Sequence, residues 1–126
     1  MTTAATLGEN DLRFINVVAS RLFSTSQPQA PAGLDEAIDA VAAQHGPFTR
    51  AAATAYELLS RRVFATAPLS TALLAMVAQL EIEGRQLLAP QGAIAGMIRE
   101  LQSGSVDAGA IAAWLEDRAV PASSGW

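Results

Sequence analysis

The chain contains no cysteine, which excludes disulfides and thiolate metal sites. Lysine is absent as well, and all eight basic residues are arginine. That usage fits either G+C-rich coding or a choice of planar guanidinium groups for bidentate anion contacts. Positive charge is scarce overall. A formal net charge of −4 and a pI near 4.8 argue against broad nucleic-acid binding, which needs a basic footprint. A long apolar run is also missing. The most apolar segment, Pro68 to Leu80, has 13 residues and is too short to span a bilayer. The first ten residues, MTTAATLGEN, carry neither the positive stretch nor the apolar run of a signal peptide. The expectation is a soluble, cytoplasmic protein with no membrane partner.

The chain is rich in apolar residues. Hydrophobic residues make up 51% and charged residues only 16% of its 126 positions, enough for one well-filled core. Alanine-rich segments without β-branched or aromatic runs favour helix. Residues 1–9 are expected to be a flexible N-terminus, 10–120 a single helical domain and 121–126 a flexible tail. Asn10 or Asp11 can cap a first helix to about Phe23, with Leu12, Ile15, Val18, Ala19 and Leu22 facing inward. Ser24 to Gly33 reads as a loop. A second helix covers about Leu34 to Gln44, with Leu34, Ile38, Val41 and Ala42 inside. After His45-Gly46-Pro47, a stop and restart signal, a third runs from about Phe48 to Arg62 with Ala52, Tyr56, Leu59 and Val63 on one stripe.

Pro68 suits the first turn of a fourth helix that is apolar nearly all round and ends at Gly84. Such a helix is expected to be buried, with Leu69, Leu73, Met76, Val77 and Leu80 forming one face. Arg85 to Ala89 reads as a connector. Pro90 leads into a fifth helix with Ile94, Met97, Ile98 and Leu101 inside, broken at Ser103-Gly104. Asp107 caps a sixth, with Ile111, Trp114 and Leu115 inward. No alternating stretch is long enough to define a sheet. The fold class expected is all-α: a compact bundle of about six helices around a buried central helix at about 68–83.

The stretch Arg62-Val63-Phe64-Ala65-Thr66-Ala67-Pro68-Leu69-Ser70-Thr71-Ala72 is a loop with a central phenylalanine feeding that buried helix. Leu80-Glu81-Ile82-Glu83-Gly84 closes the helix, Trp114-Leu115-Glu116-Asp117-Arg118 lies near the chain's end, and Gly33-Leu34-Asp35-Glu36-Ala37 lies upstream. In pattern and order, over roughly residues 10–118, this layout resembles the Fic/Doc (death-on-curing, Fido-fold) family. There the loop reads HPFxxGNKRTA or HPFxDGNKRTA. The resemblance implies a Fic/Doc-like bundle and descent from proteins that move AMP or phosphate from a nucleotide onto a protein hydroxyl. In such proteins the motif histidine is the base, the acid before the glycine helps hold a metal, and the Gly-Asn-Lys run and following arginine hold phosphates. Position, charge neutralisation and deprotonation are what phosphoryl transfer requires.

Carried over residue by residue, those roles fail. The base position is Arg62, a guanidinium that keeps its proton at any ordinary pH. The acid position is Thr66, a poor substitute for a carboxylate on Mg²⁺. Glycine, asparagine, lysine and arginine are replaced by Ala67, Pro68, Leu69 and Ser70. Phe64, Thr71 and Ala72 survive, and all three are packing or helix positions. Pro68 removes one backbone N–H from the anion cradle. No catalytic residue, metal ligand or cofactor is expected. Arg61, Arg62, Ser70 and Thr71, at or beside a helix N-terminus, are candidates for residual anion binding; the alternative places the two arginines at the C-terminus of the preceding helix, where positive charge is favoured.

Elsewhere chemistry is thin. His45, the sole histidine, sits at a helix break, as a solvated or capping residue would. Glu81 and Glu83 are two apart and point to different helix faces. Asp35, Glu36 and Asp39 suit the start of a helix, and Ser103-Gly104-Ser105 is a turn. Three functions remain open at the level of sequence. The first is a degenerate Fic/Doc-like protein, resembling the toxin of a toxin–antitoxin module but inactive and acting by binding. Its partner would be an antitoxin-like protein or a second copy, with the regions around Trp114 and Trp126 as contact points. The second is a divergent AMP- or phosphate-transferring enzyme. The third is an unrelated helical structural or oligomerisation module.

Overall fold

The computed structural model describes residues 6–27 and 29–121, the side chains of Gln91 and Ile98 excepted. The expected inward position of Ile98, the contact role of Trp126 and the looseness of residues 1–5 and 122–126 lie outside the described residues. Those described form six α-helices and one two-stranded antiparallel ribbon.

Helix α1 spans Glu9–Phe23. It is capped two or three residues earlier than the sequence implies: Gly8 is the N-cap, and Asp11 reaches back from the first turn so that its Oδ2 accepts from the Gly8 amide at 2.9 Å. Its buried residues are Leu12, Asn16, Ala19 and Ser20, whereas Leu22 is 67% exposed. The helix is thus turned by about one residue from the face its apolar pattern selects, because two polar side chains point inward. Nor is the chain before it loose throughout. Leu7 is buried, and its amide donates to Gln79 Oε1 at 3.0 Å.

Helix α2, Leu34–Ala42, follows the left-handed Gly33 and buries Leu34, Ala37 and Val41; Ala42 is exposed rather than inward. Helix α3 spans Pro47–Ser60 with Pro47 in its first turn. Ala51, Ala52, Ala53, Thr54 and Ala55 are all buried, so consecutive residues are covered on every side. Only small side chains allow helices to close in on three sides at once, which is why the alanine run sits here. Tyr56, expected inside, is 37% exposed.

Helix α4 spans Pro68–Ile82 and buries Thr71, Ala72, Ala75, Met76, Gln79 and Leu80. Leu74 and Ile82 face solvent. Of the expected face, Met76 and Leu80 are buried while Leu69, Leu73 and Val77 are half-buried, and the inner face includes two polar residues, Thr71 and Gln79. Burial on all sides belongs to the middle of α3, not to α4, so the bundle has a central pair. In that pair α3 packs against α2 and α4, and α4 packs against α1.

Arg85–Leu87 (β1) pairs with Ala119–Pro121 (β2) in the register Arg85↔Pro121, Gln86↔Val120 and Leu87↔Ala119. The expected connector and the first residue of the expected tail therefore form a ribbon. Strands of three residues have no readable period, and their partners are remote in sequence. Between them lie α5, Gln91–Ser103, which buries Met97, and α6, Ala108–Arg118. The Asp107 cap is formed as expected, Oδ1 accepting from the Ala110 amide at 2.8 Å. Ile111 and Leu115 are fully buried and α6 packs on α3. Trp114 is half-buried, and the Arg118 guanidinium lies 4.8 Å from its ring centre. One core cluster draws residues from Leu7 through Leu115.

Candidate functional site

The loop that opens α4 begins as the end of α3. Arg62 has φ +52°, its amide donates to the Leu59 carbonyl at 3.2 Å, and the Val63 amide donates to Leu58 at 3.1 Å. That pair of bonds around a left-handed residue is a Schellman motif, with Arg62 in the place glycine usually takes. Val63 and Leu58 are both buried, giving the apolar contact that accompanies the motif. Arg62 thus terminates a helix, and its side chain is exposed. Arg61, also exposed, pairs with Glu57 one turn back at 3.1 Å. The two arginines stand at a helix C-terminus, where cations are favoured.

The rest of the loop is held from three sides. The Val63 carbonyl accepts from the Ala32 amide at 3.0 Å, and the Thr66 hydroxyl donates to the Gln27 carbonyl at 3.0 Å. Both bonds tie it to the segment between α1 and α2. The buried Asn16 amide donates to the Thr66 carbonyl at 2.8 Å and to Thr71 Oγ1 at 2.9 Å. Thr71 in turn donates to the Ala67 carbonyl at 2.7 Å. Its single O–H is committed, so Thr71 offers no donor to an anion. Phe64 is buried in the core; Pro68 is exposed, and Leu69 and Ser70 are half-buried. Ala67 is left-handed, with φ +47°.

Two non-glycine residues with positive φ in a six-residue stretch carry a strain cost. Ala67→Gly and Arg62→Gly are each expected to raise stability by about 0.5–1 kcal/mol, the relieved backbone strain outweighing the added freedom of the unfolded chain. Urea denaturation midpoints measure this directly.

A second polar system, not anticipated from sequence, lies at the other end of α4. Arg50 Nε donates to Glu83 Oε1 at 2.8 Å, and the Arg50 side chain bonds the same oxygen again through Nη2. Arg50 Nη1 reaches the Gln44 carbonyl at 3.1 Å. Gln79 Nε2 donates to Glu83 Oε2 at 2.9 Å while its Oε1 holds the Leu7 amide. The Arg50 and Glu83 side chains are only 12% and 8% exposed. This chain of bonds fastens α3, α4 and the approach to α1 together. Every group in it is bonded to protein, so it is built as a brace and not as a reactive centre.

Beside the loop, an open cleft of roughly 250 Å³ is lined by residues of α1 and of 29–31 and reaches Asn16 and Phe64. Its one cation, Arg13, is paired with Glu9 at 2.7 Å. His45 is exposed in the turn between α2 and α3, its carbonyl accepting from Thr49. Glu81 and Glu83 diverge as their spacing requires, Glu81 to solvent. The Ser103 hydroxyl bonds the Glu100 carbonyl and Ser105, as a turn would. Among the described residues no group of three or more His, Asp or Glu side chains comes together to hold a metal ion, and no helix is long and apolar enough to cross a membrane.

Fold and site define a small helical-bundle protein whose most distinctive loop is fixed by structural hydrogen bonds. The sequence matches no protein-family model, and no curated protein shows significant similarity to it.

Proposed function

We propose that the protein acts by binding another polypeptide, on a Fic/Doc-like helical scaffold that no longer carries out group transfer. The observation behind this is what occupies the loop before α4. Arg62 stands where the base would stand, and it closes a helix. Thr66 stands at the metal-ligand position, and its hydroxyl is bonded to the Gln27 carbonyl. The Thr66 and Thr71 hydroxyls serve the fold, and no side chain of this loop is a base or carboxylate that could deprotonate a hydroxyl or hold a metal. The likeness to toxins of toxin–antitoxin modules is supported by the order of elements: helix, loop with a buried phenylalanine, then helix. It is supported further by the left-handed Ala67, at the position the resemblance gives to glycine. A scaffold of this kind keeps the capacity to dock a helix after its chemistry is gone. The test is transfer of label from α- and γ-labelled ATP and GTP to protein acceptors in a cell extract. No labelled product beyond that of the extract alone is expected. Label transfer that Ser70→Ala or Arg62→Ala abolishes would overturn the proposal.

A further inference from the structure

Helix α1 carries its apolar side chains on two opposite faces. One, through Leu12 and Ala19, enters the core; the other is turned to solvent. On that outer face Phe14, Val18 and Leu22 follow at intervals of four residues, one above the other along the helix. Phe14 is 60% exposed and Leu22 is 67% exposed; Phe23, at 63%, ends the helix on the side opposite Phe14. Three of the most exposed large hydrophobic residues thus belong to one 15-residue helix. Val18, between Phe14 and Leu22 on that face, is half-buried. Large apolar side chains exposed side by side mark interaction sites on monomers.

The charges on α1 say what fits there. Glu9 and Asp11 lie in its first turn with Arg13 close behind, leaving that end negative; after Arg13 the helix carries a single charge, Arg21, in its last turn. The helix dipole has the opposite sense, positive at the N-terminus and negative at the C-terminus. A surface with an acidic end, an apolar middle and a basic end is complementary to itself when reversed. We infer that α1 is a self-association surface, and that a second copy of this chain docks antiparallel across it about a two-fold axis at Val18. Under that operation residue i faces residue 36 − i of the neighbour. Phe14 then meets the neighbour's Leu22, Val18 meets Val18, and Arg21 falls opposite Ile15, one turn from Asp11. An isologous two-fold contact of this kind is the commonest route to a closed oligomer. The patch is below the size of a standard stable interface, so the dimer is a micromolar one.

The inference names the occupant of one surface and rests on the reading of the protein as a binding module. Sedimentation velocity over a concentration series should show a monomer–dimer equilibrium with a micromolar Kd. Phe14→Glu with Leu22→Glu should weaken it at least tenfold while leaving the circular dichroism and Tm of the monomer unchanged. Because the chain has no cysteine, introduced thiols report geometry cleanly. Val18→Cys lies on the axis and should cross-link to itself on mild oxidation. Phe14→Cys should not, its symmetry mate being about eight residues, or roughly 12 Å, away along the helix. A wild-type chain that stays monomeric at several hundred micromolar overturns the inference, as does a dimer that survives the double glutamate variant. Phe14→Cys cross-linking to itself as readily as Val18→Cys overturns the antiparallel arrangement. A monomer leaves the proposed binding function standing with another partner; label transfer would remove that function and leave the dimer.

Discussion

Glu83→Ala is expected to destabilise the fold by about 3–5 kcal/mol, the cost of leaving a buried charge without its counterion. Among the described residues Arg50 pairs with no second carboxylate: its other bond is to the Gln44 carbonyl, and its side chain is 12% exposed. The Gln79 Nε2 bond to Glu83 Oε2 is lost in the same step. For a domain whose total stability is about 5–15 kcal/mol, this is a large fraction. Thermal unfolding followed by circular dichroism should register a fall of roughly 10–20 °C. Glu81→Ala, two residues away and exposed, should change stability by no more than about 0.5 kcal/mol. Replacing both partners, Arg50→Met with Glu83→Leu, should recover most of the loss, since burying two charges costs nearly as much as their attraction returns. A Glu83→Ala loss under about 1 kcal/mol would mean that the pair behaves as an exposed one.

The second large effect is expected at Asn16. Its amide nitrogen donates to the Thr66 carbonyl and to Thr71 Oγ1, and these two bonds join α1 to the loop that starts α4. Asn16→Ala strands both acceptors and opens a void, at a cost of about 2–4 kcal/mol. Asn16→Asp keeps the shape and reverses the chemistry. The Thr71 hydrogen is already given to Ala67, so an ionised carboxylate would face two oxygens with no hydrogen between them. At neutral pH, Asn16→Asp should therefore destabilise at least as much as Asn16→Ala despite removing no volume. Urea denaturation of the two variants side by side measures the difference. Asn16→Asp near wild-type stability would show that the amide is not the donor that fixes the loop.

How the sequence was legible differs between the helices and the contacts that hold them. Helix existence followed from local punctuation: Gly46-Pro47, Pro68, Gly84, Pro90, Ser103-Gly104 and the Asp107 cap each act within a turn of their own position. The inner faces of α1 and α4 did not. Asn16 and Ser20 on α1, and Thr71 and Gln79 on α4, point into the core, and an apolar pattern assigns polar residues to the outside. Asn16 has its reason for burial 50 and 55 residues away, and Arg50 meets Glu83 across 33. The ribbon joins residue 85 to residue 121, through strands too short to announce themselves. At the loop before α4 the residue types were visible in the sequence but their roles were not: that Arg62 forms a helix-terminating motif depends on a φ angle, and that Thr66 and Thr71 are committed depends on the segments packed against them.

The most direct measurement of whether this loop retains chemistry is nucleotide-dependent labelling by the wild-type chain and by Arg62→His, assayed together on intact acceptor protein by mass. Under the proposed Fic/Doc-like reading, a histidine at position 62 supplies a base but neither a metal ligand at Thr66 nor cations at Leu69 and Ser70. No added mass of an AMP or phosphate group is expected with either protein. Nucleotide-dependent mass addition by the wild type, or by the single histidine variant, would contradict a loop given over to structure.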